Sequence, residues 1–366
     1  MTKWLIGLAG LVSLGACASF VPQEPTSRFE AYAEADNRMT EEGRMRITAF
    51  LEDSGSSSAL VLYKGKIAYQ YGDIHEKHLI HSMRKAILGT MYGALVEEGA
   101  VSLDEHVGVL DLDEPGNPLT EQESAATVRE LLQSRSGIYL PSAAESEGMT
   151  ASKPDRGAHL PGEAYYYNNW SFNALGTLYE ERAGESIYAA FEEQLAGPLG
   201  MTSWRGRIGE MRLGEGGDDP DVFPARLKRA DGFYLYEPEK SRHPAYHFRL
   251  SAHDLALFGQ MLAQDGVWDG ERLVSADWID EMTDCASVTL PDIGGGMRLC
   301  YGMMWTVTDR VGRTIAFSHT GLGTHMLSVH PGAELVIVHR APTEDPEFER
   351  KNPPSRLIGL VFGAFE

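Results

Sequence analysis

The sequence predicts a mixed α/β (α+β) fold: an antiparallel sheet built from N- and C-terminal strands, flanked by helices, with a helical lobe inserted between them. Three observations predict it. Apolar and polar residues alternate in SALVLYKGKIAYQYG (58–72), strand patterns return only after about residue 300, and the stretch between reads as helices joined by long loops. Strands from both ends can share one sheet only if the middle of the chain leaves and returns, which makes the middle a second lobe. The folded domain on this reading covers 29–366, with a sheet lobe of about 29–74 and 286–366 and a helical lobe of about 75–285.

The N-terminus precedes that domain. Lys3, an apolar run over 4–14 and small residues leading to Cys17 form a stretch shorter than the roughly 20 apolar residues a membrane helix needs. Residues 1–16 therefore read as a secretion signal peptide. Leu14-Gly15-Ala16-Cys17 resembles the lipobox of bacterial lipoproteins, which implies cleavage before Cys17 and lipidation of its sulfur. Ala18, where an aspartate would retain the protein in the inner membrane, implies an exported, periplasmic protein held at the outer membrane, with 17–28 (Pro22, Pro25) as a lipidated tether. An ordinary signal peptide with an incidental cysteine is the alternative.

The elements follow in order. Residues 58–72 form a hairpin about Lys64-Gly65. From His81 to about Ala100 the period becomes helical, with Met83, Ile87, Met91, Ala94 and Leu95 on one side and Gly99 near the stop. Thr127 and Glu130 resemble a capping box opening VRELLQS, and Ser251 with Asp254 opens LALFGQMLAQ in the same way. Strand patterns occupy 301–308, 313–318, 326–330 and 335–339, and the prolines of PPSRLIGLVFGAFE start a last helix.

Composition narrows the function. At 43% hydrophobic and 23% charged the chain is globular, and a net charge of −21 excludes a nucleic-acid groove, which needs clustered Lys and Arg. After Cys17 only Cys285 and Cys300 remain. They can bond in an oxidising compartment or stand as two unlinked buried thiols. No repeat period of a solenoid, no phosphate loop and no dinucleotide fingerprint occurs, so no cofactor is expected. His75, His78 and His81 read as structural histidines and Asp218, Asp219 and Asp221 as a solvated turn, so no metal site is expected either.

Three short motifs carry the chemistry. In HSMRKAIL (81–88), Ser82 and Lys85 stand three positions apart, on one face of a helix. A serine needs a base to become a nucleophile, and a lysine is a base only where burial or nearby cations lower its pKa. Alone, the pair reads as a capped helix with a solvated lysine before it reads as chemistry. In PGEAYYYNNWSFNALG (161–176), a Pro-Gly turn leads through tyrosines to Tyr167-Asn168-Asn169-Trp170, where simple aromatic packing is the plain alternative. His319-Thr320-Gly321 closes a strand pattern, its glycine leaving the strand surface bare for a substrate.

Ser-x-x-Lys, Tyr-x-Asn and His-Thr-Gly, in that order and on those elements, resemble the motifs of serine β-lactamases and penicillin-binding proteins. The likeness spans roughly 45–365, and the Tyr-Asn-Asn-Trp and His-Thr-Gly versions are similar to class C-like esterases, D-amino-acid peptidases and 6-aminohexanoate-dimer hydrolases. The resemblance implies a β-lactamase/transpeptidase-like fold and a serine hydrolase acting through an acyl-enzyme on an ester or amide of a small substrate. It implies Ser82 as nucleophile, with Lys85 and Tyr167 sharing its proton, and an oxyanion hole from the backbone N–H groups of Ser82 and Leu322. Asn169 would orient Lys85 and a substrate amide, and His319 would add polarity or positive charge. Thr320 and Gly321 would line the substrate strand, with Tyr165, Tyr166 and Trp170 as pocket walls. Histidine stands at 319 where class C β-lactamases carry lysine, which speaks against efficient penicillin hydrolysis. A D-Ala-D-Ala-type peptidase or β-lactamase, and a non-catalytic cell-wall sensor, are the alternatives. The expected partner is the small substrate alone, with membrane contact only through the lipid.

Overall fold

The computed structural model describes residues 28–219 and 222–365. The proposed signal peptide, Cys17, nearly all of the tether and Asp221 lie outside the described residues.

Eight strands form one antiparallel sheet, ordered Lys66–Gly72, Ser58–Tyr63, Leu335–Arg340, His325–His330, Thr314–Gly321, Thr306–Arg310, Met297–Tyr301, Ser287–Leu290. The first strand of the chain thus pairs with the last, Leu60 opposite Val338 and Val61 opposite Ile337. Lys64 (φ 50°) and Gly65 (φ 73°) make the tight turn between the first two strands. Positive φ at both central residues matches the right-handed twist of the strands they join. The two strands nearest the Ser287 edge, Met297–Tyr301 and Ser287–Leu290, extend the sheet beyond the strands expected from the sequence, and the bond between Cys285 and Cys300 ties that edge together.

Alternation along the central strands sends side chains to two cores. Leu60, Leu62, Leu327, Val329, Val336 and Val338 face the larger, shared with the inserted lobe. Ala59, Val61, Met326, Leu335 and Ile337 face a smaller one closed by the helices Glu41–Asp53 and Ser355–Phe362. The last helix begins immediately after Pro354, as its prolines predict.

The inserted lobe is less purely helical than its sequence reads. It carries the helices Arg84–Glu97, Asn169–Ala183 and Ala252–Ala263, but also a four-stranded sheet ordered His78–Leu79, Ala245–Leu250, Gly232–Tyr236, Ile208–Arg212. Tyr246-His247-Phe248-Arg249-Leu250 alternates apolar and polar residues as a strand does, yet every position is buried, His247 and Arg249 included. Thr127 and Glu130 do form a reciprocal capping box. Ser251 caps its helix, whereas the Asp254 carboxylate turns to the backbone N–H groups of Thr202 and Ser203. Among the described residues no helix is long and apolar enough to cross a membrane.

Candidate active site

The site lies where the first helix of the inserted lobe meets the edge of the Thr314–Gly321 strand. The chain enters through a short 3-10 turn, His81–Met83, before the helix Arg84–Glu97. His81 sits in the left-handed region at φ 49°, a conformation that costs a side-chain-bearing residue of order 1–3 kcal/mol. Its ring is anchored through Nε2 to Thr343 Oγ1 at 2.8 Å, a residue that also bonds His325 Nε2 at 2.9 Å. The sharp bend presents Ser82 at the head of the helix. Gly321 lies against it so closely that a Cβ there would stand 2.5 Å from the Ile80 carbonyl oxygen, so only glycine allows this strand to abut the turn.

Tyr167 arrives from the other side. The carbonyl of Arg135 accepts from Gly162 N–H at 2.8 Å and the Arg135 guanidinium donates to the Gly162 carbonyl, which clamps the Pro-Gly turn. Asn168 then caps the helix Asn169–Ala183, its side chain accepting from Trp170 N–H and donating to the Ile138 carbonyl. Tyr167 is fixed between these anchors, its ring 4.9 Å from Phe172 and 6.0 Å from Tyr301, centroid to centroid.

Lys85 joins the two halves. Its Nζ donates to Ser82 Oγ at 3.1 Å and to Tyr167 Oη at 2.6 Å, and lies 4.8 Å from the Phe172 ring centroid. The side chain is 1% exposed. Burial, then the charge of Arg84, pushes the Lys85 ammonium well below its ordinary pKa, because a charge deprived of water is penalised. Burial raises the Tyr167 phenol, against smaller opposing effects of its bond to Ser82 and of Arg84. Both shifts favour the uncharged forms, an amine beside a phenol, which suits a base and a relay better than two standing charges.

Several expected pocket residues are placed differently. Trp170 is fully buried, its indole N–H donating to Glu114 at 2.8 Å, so it belongs to the core and walls no pocket. Tyr166 donates its hydroxyl to the Met149 carbonyl and packs edge-on against Tyr139, which turns it into the loop scaffold. Asn169 donates to the Ala144 carbonyl at 2.6 Å, so it fixes that loop and does not hydrogen-bond Lys85. Its Oδ1 is buried without a partner among the described residues. His319 Nδ1 donates to the Thr320 carbonyl at 2.9 Å, while burial, then the Lys85 charge, lowers its pKa to about 3. The imidazole is neutral, so it contributes polarity and no positive charge. Thr320 is exposed at the strand end, and Leu322, 68% exposed, follows it at the rim.

Tyr301, Phe172 and Arg84 surround the centre without having been singled out from sequence. Arg84 was visible as the cation beside Lys85, whereas Tyr301, on a strand of the distant sheet edge, carries no local signal. Among the described residues no group of three or more His, Cys, Asp or Glu is arranged to hold a metal ion.

Comparison with known proteins gives the family. A model of the family described as Beta-lactamase matches residues 46–359. Protein flp of Staphylococcus aureus (strain NCTC 8325 / PS 47) is 26% identical over 199 residues, which cover 45% of this chain and only 39% of that protein. Among solved structures, a Bacillus anthracis protein assigned as a 6-aminohexanoate-dimer hydrolase superposes with a TM-score of 0.63 at 17% identity, covering 92% of this chain and 87% of that one. A family VIII carboxylesterase superposes with a TM-score of 0.59 at 18% identity, covering 88% of this chain and 97% of the other. At these identities the superpositions speak for the fold.

Proposed function

We propose, from the premise that this chain belongs to the Beta-lactamase family, that it is a serine hydrolase cleaving an ester or amide bond of a small substrate through an acyl-enzyme on Ser82. The observation that carries the reading is the continuous hydrogen-bonded group Ser82, Lys85, Tyr167, with the lysine buried.

Ser82 Oγ forms a bond to the substrate carbonyl carbon as its proton passes to the Lys85 amine, directly or through Tyr167, and the carbonyl π pair moves onto oxygen. The backbone N–H groups of Ser82 and Leu322 receive that oxyanion, the first at the positive end of a helix. Collapse breaks the bond to the leaving alcohol or amine, which takes the proton back through Tyr167. Water then attacks the acyl-enzyme by the same route and releases the acid and free Ser82. Neutral His319 leaves the strand edge without the cation that would pair with a substrate carboxylate, so uncharged esters and amides suit the site better than penicillins or D-Ala-D-Ala peptides.

The test is turnover of p-nitrophenyl esters, nitrocefin, D-Ala-D-Ala peptides and linear amide oligomers by the wild type and Ser82→Ala. Ester turnover abolished in a folded Ser82→Ala variant is expected; activity within tenfold of wild type removes Ser82 as nucleophile. A lasting fluorophosphonate adduct on Ser82 with no turnover of any substrate would instead favour the non-catalytic binder. The export and outer-membrane anchoring read from Cys17 is likewise a proposal, and an unchanged membrane fraction for Cys17→Ala rejects it.

A further inference from the structure

Between Ser82 and Lys85 stands a second cation. Arg84 is 1% exposed, its Nη2 donating to Asn173 Oδ1 at 2.8 Å and its guanidinium carbon 4.3 Å from the Tyr246 ring centroid. Both partners are uncharged. A guanidinium does not shed its proton inside a protein, and burying one without a carboxylate is costly. Such a group is retained only where its charge is tolerated, and here that charge lies one residue from the proposed base.

We propose that Arg84 is a positioning residue for this site: its buried, unneutralised guanidinium keeps Lys85 a free amine by opposing a second positive charge beside it. The inference rests on the reading of Lys85 as the base for Ser82. Adjacent helix positions do not face one another, so the effect is not a contact but a field, strong because the interior screens charge poorly.

The surroundings leave Arg84 as the charge that matters. Lys85 shares its turn with Ser82 and His81 and bonds Tyr167; its charge reaches His247 on the strand Ala245–Leu250 and His319 on Thr314–Gly321, while Tyr301 packs on Tyr167, Tyr165 on Tyr301, and Tyr246 against Arg84. Burial lowers the three histidines and raises the four tyrosines, so all are neutral near pH 7. Arg84 is also the charged group that acts on Lys85, second only to burial.

Two variants remove the field differently. Arg84→Gln deletes the charge, while Asn173→Asp keeps every atom of Arg84 and places a carboxylate against it. Asn173→Asp also loses the donor to the Ala143 carbonyl, a cost independent of Lys85 titration. The readout is kcat/KM for a p-nitrophenyl ester against pH, with folding checked by circular dichroism. In both variants the acid limb should move upward by about one unit, giving about a tenfold loss below the limb that is recovered above it. A uniform loss at every pH, with the limb unmoved in whichever variant folds, assigns Arg84 a merely structural role and overturns the proposal. Ser82→Ala separates the two levels: if it stays active, the reading of the site fails, whereas an inactive Ser82→Ala with unmoved limbs sinks only the role of Arg84.

Discussion

Lys85 Nζ lies 2.6 Å from Tyr167 Oη across 82 positions of chain. The lysine is carried by a helix that follows the Ser82 turn, and the tyrosine by the segment that caps a different helix. Their contact makes them one proton path in the proposed mechanism, with Ser82 at 3.1 Å on the other side of the amine.

A double-mutant cycle measures that unity. Lys85→Arg keeps a cation that cannot act as a base, and Tyr167→Phe keeps the ring without the relay. Each should cost about 10²- to 10⁴-fold in kcat/KM for an ester, and the double variant little more than the worse single. Losses that multiply would show two independent groups and remove the shared path.

Acid should unfold this protein early. Burial lowers His81 and His319 to about 3, His78, His330 and His339 to about 4, and His247 and His325 well below their ordinary 6.5. Each is neutral when folded but takes a proton when unfolded below 6.5. From pH 6.5 down to the folded values the unfolded chain binds more protons, and stability falls as pH falls, by up to ~1.4 kcal/mol per unit for each histidine. Urea midpoints should drop steeply between pH 6.5 and 4, and His339→Gln should flatten the slope by about one proton. A midpoint level across that range contradicts the buried, neutral cluster.

The Cys285–Cys300 bond, 15 residues apart in sequence, closes the loop that carries the edge strand Ser287–Leu290. Restricting a loop of that length in the unfolded chain stabilises by about 3 kcal/mol. The double variant Cys285→Ser/Cys300→Ser should lose about 2–3 kcal/mol in urea unfolding. A midpoint matching wild type under oxidising conditions would show that the bond contributes nothing.

Legibility differed from element to element. The hairpin at Lys64-Gly65, the capping box at Thr127 and Glu130 and the last helix after Pro354 depend on neighbours within four residues, so they could be read directly. The strand Ala245–Leu250 carries a local alternation too, from Tyr246 to Leu250, but it lies in a stretch that otherwise reads as helices and loops, and only the tertiary structure buries its polar His247 and Arg249. Trp170 reads as a pocket aromatic beside Tyr167, yet Glu114, 56 positions away, claims its indole and draws it into the core.

The sequence by itself determined the order of the motifs, the antiparallel sheet shared by the two ends, and the pairing of Ser82 with Lys85, since a three-residue step on a helical turn is a local relation. Only the tertiary structure decided that Tyr167 reaches Lys85, that His319 is neutral, that Asn169 bonds Ala144, and that Cys285 and Cys300 are joined. The physical reason is that proton affinity and hydrogen-bond partners are set by how much water is excluded and which groups replace it. Those groups come from chain segments far apart in sequence.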